Sequence, residues 1–451
     1  AFLKAAAERL PRGRADLFGI DIDPAAVRLA RRRLGMDGRS KRLVQADALA
    51  EALPGGLAGP FDVILGNPPW GGWNRRLPPR EKAALRRRFT TARNLIDPCV
   101  LFIERATSLL APGGLLAFVL PDYFLLKNYP AARRHVLDHY EILELARWGT
   151  AFPGVHLDVC TMVARRLATD GARARGHRVR CLPEGPAGRA ILSPQSRFER
   201  AQGAVFNVAL GGREAGLLDR LGKEWPPLGD LAEMHEGIHS GNIRGRLFVA
   251  PGRAPDDPRH RLGPLVLGGD EVRPFQLRWG GWRVVRDDAI IRREAGEYAN
   301  LGQDRWFAPP KILVRRTGDR VVAAIDRSGL YASNNLFVVL ARSGCRVPLE
   351  YLEAVLNSSL ATWCFRAMQP REGRLFAELK LTHLRRLPVP MPQSRRDTSD
   401  LAAAGRGADP TALDALVARL AGLTQAEERL VLAAVRRAPR VRVLHGGGQS
   451  L

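Results

Sequence analysis

Hydrophobic positions in the first third of the chain alternate between two rhythms. Short apolar runs at residues 17–22, 43–46 and 61–65 read as strands, and a polar residue closes each: Asp21, Asp47 and Asn67. Between and after them the apolar spacing becomes helical. One stretch covers residues 24–33 and has Pro24 in its first turn, and another covers 97–110. Pro112-Gly113-Gly114 is expected to end the second helix, and the almost wholly apolar residues 115–120 then read as a strand covered on both faces. Strands alternating with helices predict an α/β fold, a Rossmann-like doubly wound parallel sheet over residues 1–168. The pattern weakens over 169–226, which reads as a connecting region. Residues 227–392 hold short mixed runs such as 311–314 and 335–340, and predict a second, mixed α+β domain. Residues 393–451 read as a polar linker followed by a helical tail. Thr424 and Glu427 stand at capping-box spacing there, and the helix should break near Gly422.

Composition bounds the function. At 451 residues the chain is long enough for two or more domains, and 45% apolar residues can supply sizeable cores. Its apolar runs fall well short of the length a membrane span needs, and no signal peptide opens it, so no membrane partner is expected. Five cysteines are scattered with no C-x-x-C pair, so neither a disulfide framework nor a metal site is expected, and a reducing, cytoplasmic setting fits best. A net charge of +24 suits a polyanion, because Lys and Arg gain affinity by releasing counterions from phosphates. A composition rich in Ala, Arg, Gly and Pro produces the same charge without any such partner. The runs Arg31-Arg32-Arg33 and Arg86-Arg87-Arg88 read as solvated faces or phosphate contacts.

The chemistry lies in position. Asp21, Asp47 and Asn67 all fall at carboxyl ends of expected strands, which line the ligand crevice of an open parallel sheet. Asn67 begins Asn67-Pro68-Pro69-Trp70. A planar exocyclic amino group is a poor nucleophile, because its lone pair is delocalised into the ring. Two acceptors aimed at its hydrogens would draw the nitrogen towards a tetrahedral geometry. The Asn67 side-chain oxygen and the Pro68 carbonyl can be those acceptors, stiffened by the prolines, with Trp70 stacking on the base. Taken alone, the tetrapeptide would equally be a proline-rich turn with a buried Trp. Its position after an apolar strand, twenty residues beyond Asp47, favours the chemical reading. Asp21 suits ribose hydroxyls, although Asp23 before Pro24 is the better helix cap. Asp47 suits either a cofactor amino group or an Asx turn.

Together, Gly19-Ile20-Asp21-Ile22-Asp23-Pro24, Gln45-Ala46-Asp47-Ala48 and Asp62-Val63-Ile64-Leu65-Gly66-Asn67-Pro68-Pro69-Trp70 resemble the gamma-class N6-adenine DNA methyltransferases in order and spacing. Gly237-Ile238-His239-Ser240-Gly241-Asn242, Ser333-Asn334-Asn335-Leu336-Phe337 and Leu356-Asn357-Ser358 resemble the TaqI-like C-terminal specificity domain, and the tail resembles type IIG restriction–modification and phage-defence enzymes. The resemblance implies S-adenosylmethionine as donor and double-stranded DNA as partner, in a monomeric bacterial or archaeal protein. It implies that Phe2, Asp21, Ile22, Asp47 and Ala48 hold the cofactor. Asn67, Pro68 and Pro69 would form the catalytic loop, and Trp70 and Phe152 would sandwich a flipped base. The family's fourth loop residue is more often Tyr or Phe. The second domain would read bases, with His239, Asn242, Arg244, Arg315, Arg316, Asn334 and Arg371 as candidates.

Other acceptors carrying a planar amino group stay open: cytosine N4, RNA and protein glutamine. So does an inactive DNA-binding specificity subunit. Glu378-Leu379-Lys380 has nuclease-like spacing, but it sits inside the expected specificity domain. The family's glycine-rich cofactor loop is expected just ahead of Phe2-Leu3, so Ala1-Phe2-Leu3 reads as the tail of that motif and the chain as a fragment. Without those backbone N–H groups S-adenosylmethionine should bind weakly or not at all. Calorimetric titration is expected to show no low-micromolar affinity.

Overall fold

The structure is a computed structural model. It describes residues 2–9, 16–36, 42–54, 57, 59–71, 77–93, 96–126, 129–151, 157–168, 176–368, 379–407 and 409–436. Two units divide it, residues 1–212 and 213–451.

In the first unit, helix α1 (Phe2–Arg9) precedes strand β1 (Gly19–Asp21). Asp23 accepts the Ala25 N–H at 2.8 Å and starts α2 (Pro24–Leu34), which ends on Gly35 in the left-handed region. β2 (Leu43–Gln45) then pairs with β1 in parallel, Asp21 opposite Gln45. β3 (Phe61–Gly66), α3 (Pro79–Arg88), α4 (Pro98–Leu109) and β4 (Leu110–Pro121) follow, and β3 and β4 are again parallel. β4 takes in the Pro112-Gly113-Gly114 segment that was expected to lie outside it. Phe61 pairs with Leu110 and Val63 with Leu115, so the extra residues bulge out, and Gly113 turns there at φ +80°.

The doubly wound pattern changes beyond β4. After α5 (Tyr123–Leu126) and α6 (Pro130–His139), β5 (Tyr140–Gly149) leads to β6 (Val159–Arg166), which inserts between β4 and β5 and runs antiparallel to both. The link between β5 and β6 is too short for the crossover that parallel pairing needs. β7 (Arg178–Leu182) and β8 (Ile191–Pro194), within the stretch expected as a connection, extend the sheet to the order β3-β4-β6-β5-β7-β8. Its core includes Ile103, Leu120, Phe124, Tyr140 and Phe206, all buried. Among the described residues no strand joins the two-stranded β1–β2 sheet to β3, whose Val63 and Leu65 are 50% and 44% exposed.

In the second unit, a four-stranded antiparallel sheet runs in the order Ala323–Asp326, Lys311–Arg315, Leu336–Ala341, Ala232–Glu236. The Lys311 ammonium and Asp326 carboxylate form a fully buried pair, completed by the Phe307 carbonyl and the Ser328 and Leu330 N–H groups. Helix Leu349–Asn357 closes the sheet's edge. Asn357 donates to the Ala323 carbonyl and accepts its N–H, both at 2.9 Å, and Glu353 accepts the Ile325 N–H at 2.8 Å. A second sheet orders Phe248–Val249, Arg283–Val285, Leu262–Val266 and Tyr331–Ala332. The expected polar linker is helical over Arg395–Arg406, because Ser394 and Asp397 make a reciprocal cap and Arg419 pairs with Asp397. The tail breaks at Gly422 as expected, into Pro410–Leu420 and Gln425–Arg436, with Thr424 and Glu427 capping the second helix. Among the described residues no helix is long and apolar enough to cross a membrane.

Burial pushes the Glu353 carboxyl up from 4.5 to about 6. A raised carboxyl pKa means that folding disfavours the charged form, so the contribution of Glu353 to stability is greatest below pH 4.5 and is lost as pH rises to about 6. Glu353→Gln, which keeps the acceptor, is expected to remove that loss and to stabilise the protein at pH 8 by about 1–2 kcal/mol in urea unfolding.

Candidate active site

The β1–β2 pairing brings two of the expected cofactor residues to one rim. The Ala46 N–H donates to the Asp21 carbonyl, so Asp47 follows directly beside the end of β1. Both carboxylates are exposed, and each uses one oxygen in a local turn: Asp21 accepts the Asp23 N–H and Asp47 the Leu49 N–H, each at 2.9 Å. The helix cap falls to Asp23, while Asp21 and Asp47 each take an Asx turn that leaves the second oxygen without a protein partner among the described residues. Ile22, 71% exposed, stands beside Asp21, Ala48 is half-buried, and Phe2 is exposed on α1. Free carboxylate oxygens next to exposed aliphatic surface suit a nucleoside, with the diol on the acid and the base on the apolar side. Arg105 braces the rim from α4 by donating to the Ala48 and Ala50 carbonyls, and Arg88 donates to that of Leu49.

The loop after β3 is built from its neighbours. A Cβ at Gly66 would lie 3.1 Å from the Phe118 ring on β4, so glycine lets the strand end close to its partner. Asn67 is exposed, Pro68 buried, Pro69 exposed, and the Trp70 ring packs half-buried against the core. Its indole N–H donates to Asn67 Oδ1 at 2.9 Å. Asp97, fully buried, anchors the far end of the loop. Its Oδ2 accepts the Gly71 N–H at 3.2 Å and the Tyr129 hydroxyl at 2.8 Å, while Oδ1 caps α4 through the Cys99 N–H. Burial and the adjacent Asp97 charge both push the Tyr129 phenol well above its ordinary value, so it stays a donor.

Sequence reasoning missed this anchor. The helical stretch expected over 97–110 does begin at Asp97, which caps it, but the second use of its carboxylate depends on Tyr129, thirty-two positions away. Nor did it single out Arg147, whose guanidinium meets both Asp122 oxygens at 2.7 and 2.9 Å at the carboxyl end of β4. Phe152, Arg371 and Glu378 lie outside the described residues.

Among the candidate readers in the second unit, Asn242 spends both ends of its amide on its own backbone, accepting from Tyr298 N–H and donating to the Gly296 carbonyl. His239 faces the exposed Tyr298 ring at 6.2 Å and accepts the Gly241 N–H. Gly241 sits at φ +52°, where a Cβ would fall on the Tyr298 carbonyl. Arg244 lies over Phe248, and Arg316 donates to the Asn334 carbonyl near Glu236. Arg315 has a buried Nε with no partner among the described residues.

Residues 15–152 match the Eco57I restriction-modification methylase model, and residues 265–389 match the TaqI-like C-terminal specificity domain. Over these two stretches the chain is similar to type II restriction–modification methyltransferases that carry a TaqI-like specificity domain. Type II methyltransferase M.XhoI of Xanthomonas vasicola is 23% identical over 90% of this chain and 82% of its own length. A release factor glutamine methyltransferase of Rhodospirillum rubrum is 38% identical, but over only 22% of this chain and 31% of its own. The fold resembles that of the type IIL restriction-modification enzyme MmeI, solved in complex with DNA, with a TM-score of 0.54 and 14% identity over 93% of this chain. The chain spans 65% of that solved chain.

Tyr129→Phe removes one donor from a buried carboxylate, and is expected to cost about 1–3 kcal/mol in urea unfolding. Asp97→Ala should cost more, because the Gly71 and Cys99 N–H groups lose their acceptor together with the Tyr129 hydroxyl. Equal midpoints for Tyr129→Phe and wild type would show that Asp97 does not need its donor.

Proposed function

We propose that the chain methylates the N6 amino group of adenine in double-stranded DNA, within a restriction–modification or phage-defence system. The observation that carries this reading is the anchored Asn67-Pro68 pair at the end of β3. Its two acceptors suit the two hydrogens of a planar amino group, and buried Asp97 holds the loop before any substrate arrives. When bound, S-adenosylmethionine supplies an electrophilic methyl group on a sulfonium. Asp21 would take its ribose hydroxyls, and Ile22, Asp47 and Ala48 its adenine. Asn67 and Pro68 orient the target nitrogen so that its lone pair faces the donor, a proximity effect that needs no side-chain base.

Duplex DNA fits the rest. Taking a base out of the stack costs a few kcal/mol. Trp70, with one side of its ring on the core, can offer the other to the base, and Phe152 is the proposed second wall. Lys and Arg outnumber Asp and Glu by 70 to 46, which suits phosphate contacts in both units. Protein glutamine is a second reading, favoured by the short match to the release factor enzyme, whose acceptor is also a planar nitrogen.

Transfer of tritiated methyl groups, with donor in excess, to unmethylated duplex DNA, RNA and release factor protein separates these acceptors. Label is expected in duplex DNA and, after hydrolysis, as N6-methyladenine. Asn67→Ala should lower the rate about a hundredfold or more. Label found in N4-methylcytosine, RNA or protein would redirect the function to that acceptor. Full sequence-specific DNA binding with no transfer would favour the inactive specificity subunit.

A further inference from the structure

The fourth loop residue carries a group that its usual replacements lack. We infer that the indole N–H of Trp70 is a positioning donor that fixes the Asn67 amide for its work on the target nitrogen. The inference rests on the methyl-transfer reading above.

An amide side chain presents two nearly identical ends, one accepting and one donating, and a half-turn exchanges them. At Asn67 only the accepting end can serve an incoming amino group. The indole nitrogen can only donate. With Trp70 Nε1 at 2.9 Å, the oxygen must face the indole, since the flipped amide would set two donors against each other. One lone pair of Oδ1 is used, and the second stays available at the exposed side of Asn67.

The donor is not held by the loop alone. The Trp70 ring packs against the core of the first unit, and the next residue, Gly71, is tied to buried Asp97. Rigid parts of the sheet domain therefore set the amide's orientation. Phenylalanine has no donor at this position, and tyrosine carries its hydroxyl at the far end of the ring. Trp70 thus does more than supply a larger stacking face.

Two measurements test this on the full chain. In a spectrum of protein labelled with ¹⁵N-tryptophan, the indole signal lost in Trp70→Phe is that of Trp70. A bond to Oδ1 predicts that the signal moves upfield in Asn67→Ala and downfield in Asn67→Asp, whose charged acceptor bonds more strongly. Displacement in one common direction, or none, overturns the contact. In methyl transfer, Trp70→Phe keeps an aromatic face and is expected to lower kcat about five- to tenfold, with KM for DNA changed by less than about twofold. A rise in KM with kcat preserved would make Trp70 a stacking residue only and overturn the positioning role. A wild-type chain with no transfer to DNA would defeat the functional reading instead, and the paired indole displacements would still decide the contact.

Discussion

A single buried carboxylate organises the candidate site. Asp97 is fully shielded from solvent, and it accepts from the Cys99 N–H, the Gly71 N–H and the Tyr129 hydroxyl. A charge in that position is tolerable only if donors surround it, and these come from the start of α4, the loop after β3 and the residue before α6. Satisfying the charge therefore requires all three segments to be in place together. For the proposed reaction the loop after β3 needs its acceptors aimed at a fixed point in space. Its far end is fastened by the same contacts that begin a core helix, so its geometry is inherited from the core.

Much of this was legible in the sequence because local physics fixes it. Asp23-Pro24, the three strands ending in Asp21, Asp47 and Asn67, and Thr424 with Glu427 are all short-range patterns, and the structure keeps them. The failures share a cause. The β4 bulge depends on how β3 and β4 register, and a Pro-Gly-Gly stretch cannot announce whether it stops a strand or bends within it. Residues 178–194 look like weak connection until β5 supplies an edge for β7. The helix Arg395–Arg406 is polar enough to pass for a linker, and its stability comes from a reciprocal cap and from Arg419 on the next helix. In each case at least one deciding partner is distant in the chain.

The second unit shows the same limit in its side chains. Asn242 and Arg316 were attractive readers of base edges, because residue type suggests what a side chain could donate. The fold has assigned part of that capacity already: Asn242 joins the turns at Gly296 and Tyr298, and Arg316 supports the Asn334 carbonyl. His239 and Tyr298 remain as an exposed aromatic pair, held by a glycine that no other residue could replace without striking the Tyr298 carbonyl. A motif can thus be strict for reasons of packing while the recognising groups beside it are free to vary.

The two halves of the candidate rim are built to different standards. Asp21 and Asp47 are exposed, and each is held by a single turn hydrogen bond. They can take up a ligand's hydroxyl or amino groups but contribute little affinity alone, since each must give up water to do so. The Asn67 loop is tied at Trp70, at Gly71 and through Pro68 to the core side of the domain. This difference matches the demands of the proposed chemistry. Binding a donor tolerates small adjustments of exposed carboxylates, but shifting electron density on a planar nitrogen requires acceptors that do not move when the nitrogen arrives. Rigidity has been placed where reorganisation would be most costly.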